Sequence, residues 1–158
     1  MKALAEELGK LLLEKGLTLS TAESCTGGGI ASVITSISGS SEYFKGGIVA
    51  YANEVKIGIL GVNAEDIGRY GAVSQVVAQQ MAEGARRATD SDYAIATTGI
   101  AGPTGGTKEK PIGTVWMAVA TPTHTITALR NCGTDRGQII NRATAYAIEM
   151  LYKELKNN

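Results

Sequence analysis

Apolar positions recur along the chain at two periods, and the switches between them outline the secondary structure. Leu4, Leu8, Leu11 and Leu12 share one helical face that Lys15-Gly16 terminates, and Leu17-Thr-Leu-Ser-Thr-Ala22 then alternates as a strand does. A glycine-rich turn, Glu23 to Gly29, opens a second helix over Ile30 to Ile37, which stops at Ser38-Gly39. Gly46 to Tyr51 reads as a strand, and Asn53 as the cap of a short helix beginning at Glu54. Gly61 to Gly71 reads as a connection holding another short helix. Ser74 caps the next helix, on which Val77, Met81, Ala85 and Ala88 share a face and which Thr89-Asp90-Ser91 closes. Tyr93 to Thr98 is strand-like. Gly113 to Thr121 and Thr125 to Cys132 pair as a hairpin, and Asp135 to Lys156 is a terminal helix with Ile139, Ala143, Tyr146 and Met150 on one side.

Strands and helices alternate first and the hairpin comes late. This order predicts an α/β fold: a three-layer α/β/α domain on a mixed, mainly parallel sheet with one antiparallel strand, formed by residues 1–158 as a single domain. Ligands of such sheets bind at the carboxyl ends of the strands. Both glycine-rich loops, Glu23 to Gly29 and Gly99 to Thr107, are expected there.

Composition removes several classes of function. Of 158 residues 44% are hydrophobic, enough for one good core. Fifteen basic residues balance fifteen acidic ones, so no global field draws the chain to nucleic acid or to an anionic membrane, and any anion must be bound locally. No apolar run approaches the length of a membrane span, and the charged, amphipathic start does not resemble a signal peptide, so a cytoplasmic location is expected. Two cysteines, Cys25 and Cys132, lack the spacing of a disulfide framework or a zinc site, and no metal or cofactor is expected. His124 is the only histidine and sits in the turn-like Thr121-Pro-Thr-His124, so a hydroxyl or thiol nucleophile needs another base.

Two cations stand where the local rules disfavour them. With Asn53 as cap, Lys56 is the third residue of its helix, at the positive end of the helix dipole. A lysine held there and partly desolvated has a lowered pKa and can act as a neutral base; the alternative is a solvated surface lysine. Asp135 with Gln138 resembles a capping box and sets Arg136 at the first position of the terminal helix. A bound phosphate or carboxylate would explain Arg136, and so would a salt bridge. In the first glycine loop, Glu23 ends an apolar strand, where a carboxylate more commonly caps or networks than catalyses. Cys25 lies at a helix start that favours thiolate but has no obvious base, so a buried, inert cysteine is the competing reading.

Several motifs occur together and in order: Thr21-Ala-Glu-Ser-Cys-Thr-Gly-Gly28, Gly39-Ser-Ser41, Tyr51-x-Asn-Glu-x-Lys56, Gly71-Ala-Val-Ser74, Gly99-Ile-Ala-Gly-Pro103, Lys110-Pro-x-Gly-Thr-Val-Trp116 and Ala143-Thr-Ala-Tyr146. This set resembles the CinA C-terminal domain, the nicotinamide mononucleotide deamidase family, from about Leu4 to Leu155. The resemblance implies metal-free hydrolysis of the carboxamide of nicotinamide mononucleotide to nicotinic acid mononucleotide and ammonia, on a similar three-layer fold. It implies a catalytic serine, tyrosine and lysine, carried onto Ser41, Tyr51 and Lys56. If Ser41 attacks the amide, backbone N–H groups near Gly39 to Ser41 are the expected oxyanion donors. Substrate contacts are expected from Glu23, Thr26, Gly27, Gly39, Ser40, Thr98, Gly99 and Arg136. The N-terminal molybdopterin-binding-like domain of longer members is not in this sequence. The expected partner is a small-molecule nucleotide, with a homo-oligomer and with neither nucleic acid nor membrane. Two other readings remain: a catalytically silent nucleotide-binding or partner-binding module, and a cysteine amidase using Cys25.

Overall fold

The computed structural model describes all residues, 1–158. A five-stranded sheet runs in the order β2-β1-β3-β4-β5, with β1 Leu19–Glu23, β2 Phe44–Val49, β3 Tyr93–Gly99, β4 Thr114–Ala120 and β5 Thr125–Asn131. The β2, β1 and β3 strands are mutually parallel, and β4 pairs antiparallel with both β3 and β5. One reversed strand in an otherwise parallel sheet is the arrangement expected from the late hairpin. Six α-helices flank it: α1 Lys2–Lys15, α2 Gly29–Thr35, α3 Asn53–Gly58, α4 Ala64–Tyr70, α5 Gln75–Thr89 and α6 Arg136–Lys156, with a single 3-10 turn at Ser40–Glu42.

The ends of these helices follow their capping chemistry. Gly16 adopts φ 65° and returns its N–H to the carbonyls of Leu12 and Leu13, closing α1. The Ser74 hydroxyl accepts from the Val77 N–H, and the Asp135 carboxylate from the Gln138 N–H, starting α5 and α6. At α3 the expectation shifts by one residue. Ala52 is the cap and Asn53 the first helical residue, so the Asn53 side chain caps nothing and Lys56 is fourth of six residues, in the last turn and not at the positive end of the helix dipole as expected.

Side-chain alternation sends different residues to the two faces of the sheet. Leu19, Ile95, Val115, Met117 and Val119 meet α1, α2 and α6 in one core, with Leu8, Leu12, Ile139, Ile148 and Leu151. Ala22, Ala94, Ala96, Ala118 and Ala120 face α5, which answers with Val77, Ala78, Met81, Ala82 and Ala85. Small residues on both sides bring α5 close to the sheet and to the chain that precedes α4. At Gly84 a Cβ would run into the backbone carbonyl of Leu60.

All three parallel strands end on one edge, where Glu23 is level with Val49 and Thr97. The turns 24–28 and 50–52, the connection 71–74, the loop 100–113 and the start of α6 converge there. No helix is long and apolar enough to cross a membrane.

Because the clash at Gly84 is with backbone, it cannot be relieved by a rotamer change. Gly84→Ala is expected to lower stability by about 1–3 kcal/mol despite alanine's better helix propensity, read from the denaturant midpoint. An unchanged or raised midpoint would mean that the Leu60 segment yields freely.

Candidate active site

The convergent edge surrounds a cavity of about 290 Å³ whose walls include Ser24, Cys25, Tyr51, Lys56, Thr98, Gly99 and Arg136, with the loop from Ile100 to Gly105. Lys56 is the only buried side chain of α3 and is 2% exposed. Its Nζ reaches three oxygens: Ser24 Oγ at 3.0 Å, the Ala50 carbonyl at 2.8 Å and the Tyr51 carbonyl at 3.1 Å. No carboxylate lies within ion-pair distance of it, the three ion pairs of the fold being formed by Lys10, His124 and Lys153. Burial without a counter-anion penalises the ammonium form and lowers the Lys56 pKa from its ordinary value near 10.5. Two of the three partners are carbonyls, which only accept. A neutral amine would spend its two N–H groups on Ala50 and Tyr51 and turn its lone pair to the Ser24 hydroxyl.

Ser24 follows the last residue of β1 and stands on the turn into α2. Its N–H is bonded to the Thr97 carbonyl of β3. Consecutive left-handed glycines, Gly27 at φ 60° and Gly28 at φ 99°, turn the chain sharply enough for α2 to begin at Gly29. The N–H groups of Cys25 and Thr26 make no hydrogen bond within the fold.

The serine expected at this position was Ser41, and the structure corrects that. Ser41 is exposed on the 3-10 turn that precedes β2, whereas Tyr51 and Lys56 follow its carboxyl end. Six residues of strand, roughly 20 Å, separate the two ends. Gly39, at φ 88°, and Ser40, 7% exposed, belong to the same remote turn, so neither they nor Ser41 supply oxyanion donors to this cavity. Glu23, Thr26 and Gly27 do not line the cavity either. Glu23 is 1% exposed, and its carboxylate accepts from the Thr26 hydroxyl and from the N–H groups of Ile30 and Ala31.

Tyr51, Lys56, Thr98, Gly99 and Arg136 all border the one cavity. The Tyr51 carbonyl holds Lys56, while its phenol, on a ring 61% exposed, accepts from Arg136 Nη2 at 3.2 Å. Arg136 Nη1 also donates to the Gly102 carbonyl at 2.7 Å, so this first residue of α6 ties the tyrosine to the loop opposite. The Thr98 hydroxyl donates to the Ala72 carbonyl and fixes the wall formed by Ala72 and Val73. At Gly99 any Cβ would lie 2.7 Å from Val115 Cγ2 and 3.0 Å from Cys25 Sγ, so only glycine passes.

Cys25 also borders the cavity but is 7% exposed. Burial, with Cys132 nearby, pushes its thiol up to about 12, opposite to what a thiolate nucleophile needs. His124 is in its expected turn, bonded to Thr121 and Thr123 and away from this edge.

A buried lysine facing a hydroxyl at the mouth of a parallel sheet defines a pocket equipped for proton transfer to and from a serine. A family model for "CinA C-terminal domain" matches residues 1–155, and the chain belongs to this family. It is 47% identical over 156 residues to the nicotinamide-nucleotide amidohydrolase PncC of Escherichia coli K12, covering 98% of this chain and 94% of that protein. It is 52% identical over 151 residues to a CinA-like protein of Flavobacterium psychrophilum, covering 96% of this chain but spanning only 36% of that longer protein. The crystal structure of the competence/damage inducible protein CihA from Agrobacterium tumefaciens superposes with a TM-score of 0.94 at 40% identity, covering 98% of this chain and 94% of that one.

Sequence reasoning passed over Ser24, although its signal was present: a serine at the point where a buried strand turns through glycines into a helix. If Cys25 only packs, Cys25→Ala will keep its catalytic rate within about threefold of the parent and will resist thiol reagents equally. A collapse of activity in that variant would return the thiol to the mechanism.

Proposed function

We propose that the protein is a nicotinamide-nucleotide amidohydrolase in which Ser24, not Ser41, is the nucleophile and Lys56 its general base. The observation that carries this reading is the 3.0 Å contact between Ser24 Oγ and a buried Lys56 Nζ that has no carboxylate partner. The name of the Escherichia coli relative, matched over nearly its whole length, supplies the substrate class.

In this reaction Ser24 Oγ attacks the carboxamide carbon as its proton passes to Lys56 Nζ. The carbon–nitrogen bond of the tetrahedral adduct then breaks, Lys56 returns the proton to the nitrogen, and ammonia leaves an ester on Ser24. Water attacks the ester by the same base, releasing the carboxylate and restoring the hydroxyl. The N–H of Cys25, which borders the cavity and has no partner within the fold, is the donor we assign to the oxyanion. Arg136 and the loop from Ile100 to Gly105 border the space left for the rest of a small nucleotide.

Ser24→Ala is expected to cut ammonia release from nicotinamide mononucleotide by at least about a thousandfold, with nucleotide binding retained in calorimetry. Binding with no ammonia release from the parent protein would instead favour a nucleotide-binding module, and a fully active Ser24→Ala would remove the serine.

The lowered Lys56 pKa sets the pH dependence. The base is competent only when unprotonated, so the rate rises with pH through the Lys56 titration and levels off below pH 10.5. Lys56→Arg keeps a cation that does not deprotonate and should be inactive across that range. A Lys56→Arg protein that keeps the parental rate would show that Lys56 does not transfer the proton.

A further inference from the structure

Glu23 and Lys56 are the two charged side chains that the fold buries almost completely, at 1% and 2% exposure. Both border Ser24, one preceding it in the chain and one touching its hydroxyl, yet they do not pair with each other. The carboxylate is instead consumed by the turn that carries the serine. Glu23 Oε1 accepts from Thr26 Oγ1 at 2.6 Å and from the Ile30 N–H at 2.8 Å, and Oε2 accepts from the Ala31 N–H at 3.0 Å. These amides belong to the first turn of α2, whose own cap residue, Gly28, has no side chain to offer. Thr26 Oγ1 is also 2.8 Å from Thr97 Oγ1, which fastens the turn to β3. From the main chain, the Glu23 carbonyl accepts from the Ala50 N–H, and the Ala50 carbonyl accepts from Lys56.

We propose that Glu23 is a positioning residue of the active site, whose carboxylate clamps the Ser24 to Gly28 turn onto α2 and so holds Ser24 Oγ at Lys56 Nζ. This rests on Ser24 being the nucleophile. The clamp closes a ring: β1 leads through Glu23 to α2, α2 leads back through the glycines to Ser24, and Thr26 locks the middle of the turn to the neighbouring strand. Releasing it lets the serine move relative to a lysine that its own carbonyl partners still hold. Because Glu23 does not line the cavity, its loss should show in the chemical step and not in substrate binding.

The test uses the full chain, nicotinamide mononucleotide as substrate, and the variants Glu23→Gln, Thr26→Val and Ser24→Ala. Glutamine keeps the length of the side chain but turns an NH2 group toward donors that need an acceptor. Glu23→Gln is expected to lower kcat by about ten- to a hundredfold while KM stays within about twofold. Sulfonylation of Ser24 by a small sulfonyl fluoride, with loss of fluoride and followed by intact mass, should slow by the same factor, and this readout needs no nucleotide.

Unchanged kcat and unchanged labelling in a folded Glu23→Gln protein would overturn the positioning role while leaving the amidohydrolase intact. A rise in KM that accounts for the whole loss would overturn it as well. If the parent protein is labelled at Ser24 and Glu23→Gln slows the labelling, but no ammonia is released, the activity reading fails and the positioning role stands. Absence of Ser24 labelling in the parent overturns both. Should Glu23→Gln not fold, Thr26→Val decides: slowed labelling supports the clamp, and parental labelling overturns it.

Discussion

A lysine ammonium removed from water is normally compensated by a carboxylate, and Lys56 has none. Three neutral oxygens surround it, enough to satisfy its N–H groups but not to offset the loss of hydration of a full charge. That imbalance makes the amine the favoured state earlier in a rise of pH than it is in water. The arrangement depends on where the surrounding elements stop. The end of β2 supplies two carbonyls and the end of β1 supplies the hydroxyl. The short α3 delivers the side chain inward as its only buried residue. Shifting any of these ends by a residue would aim a different group at Nζ.

The rest of the fold keeps those ends in place. The alanine face of the sheet lets α5 lie close, and its N-terminal cap Ser74 bonds back to Gly71, fixing the connection whose Ala72 carbonyl receives Thr98. The opposite face carries larger side chains packed against α1, α2 and α6, so α2 is held from below while Glu23 holds its first turn. The unequal thickness of the two layers thus has a consequence at the edge. On one side the chain can pass narrowly beneath a cavity wall, and on the other a short helix can be anchored deeply enough to present a serine.

Much of this was legible in the residues. Periodicity placed every strand and most helix ends. The conflict with the helix dipole that singled out Lys56 does not hold, because Lys56 falls in the last turn of α3, and what sets it apart is burial without a carboxylate partner. Ser41 stands apart from Tyr51 and Lys56 because motif order is not spatial order. Ser41 precedes a strand that Tyr51 and Lys56 follow, and a strand separates what stands before it from what stands after it. Ser24 and Lys56, 32 residues apart, meet because β1 and β2 are parallel neighbours ending on the same edge. That is a statement about pairing, and no single segment contains it. The double attachment of Arg136 was hidden for the same reason, since it joins segments that only the fold brings together, whereas the bonds of Glu23 are local and fit the capping carboxylate read from the sequence.

Tyr51 shows how a single residue can serve such a site from both its ends. Its carbonyl faces inward and helps to orient the amine of Lys56, while its exposed ring reaches outward to Arg136. Arg136 in turn grips the Gly102 carbonyl, so the backbone that holds the base is joined through one phenol to the loop across the cavity. An amine whose pKa is lowered by burial depends on limited access of bulk water, because full hydration of the ammonium would restore the ordinary pKa, while a single hydrolytic water can still be admitted. Tyr51 and Arg136 both border that cavity with Lys56, and their contact ties two of its walls together while the carbonyl of the same tyrosine stays on the amine.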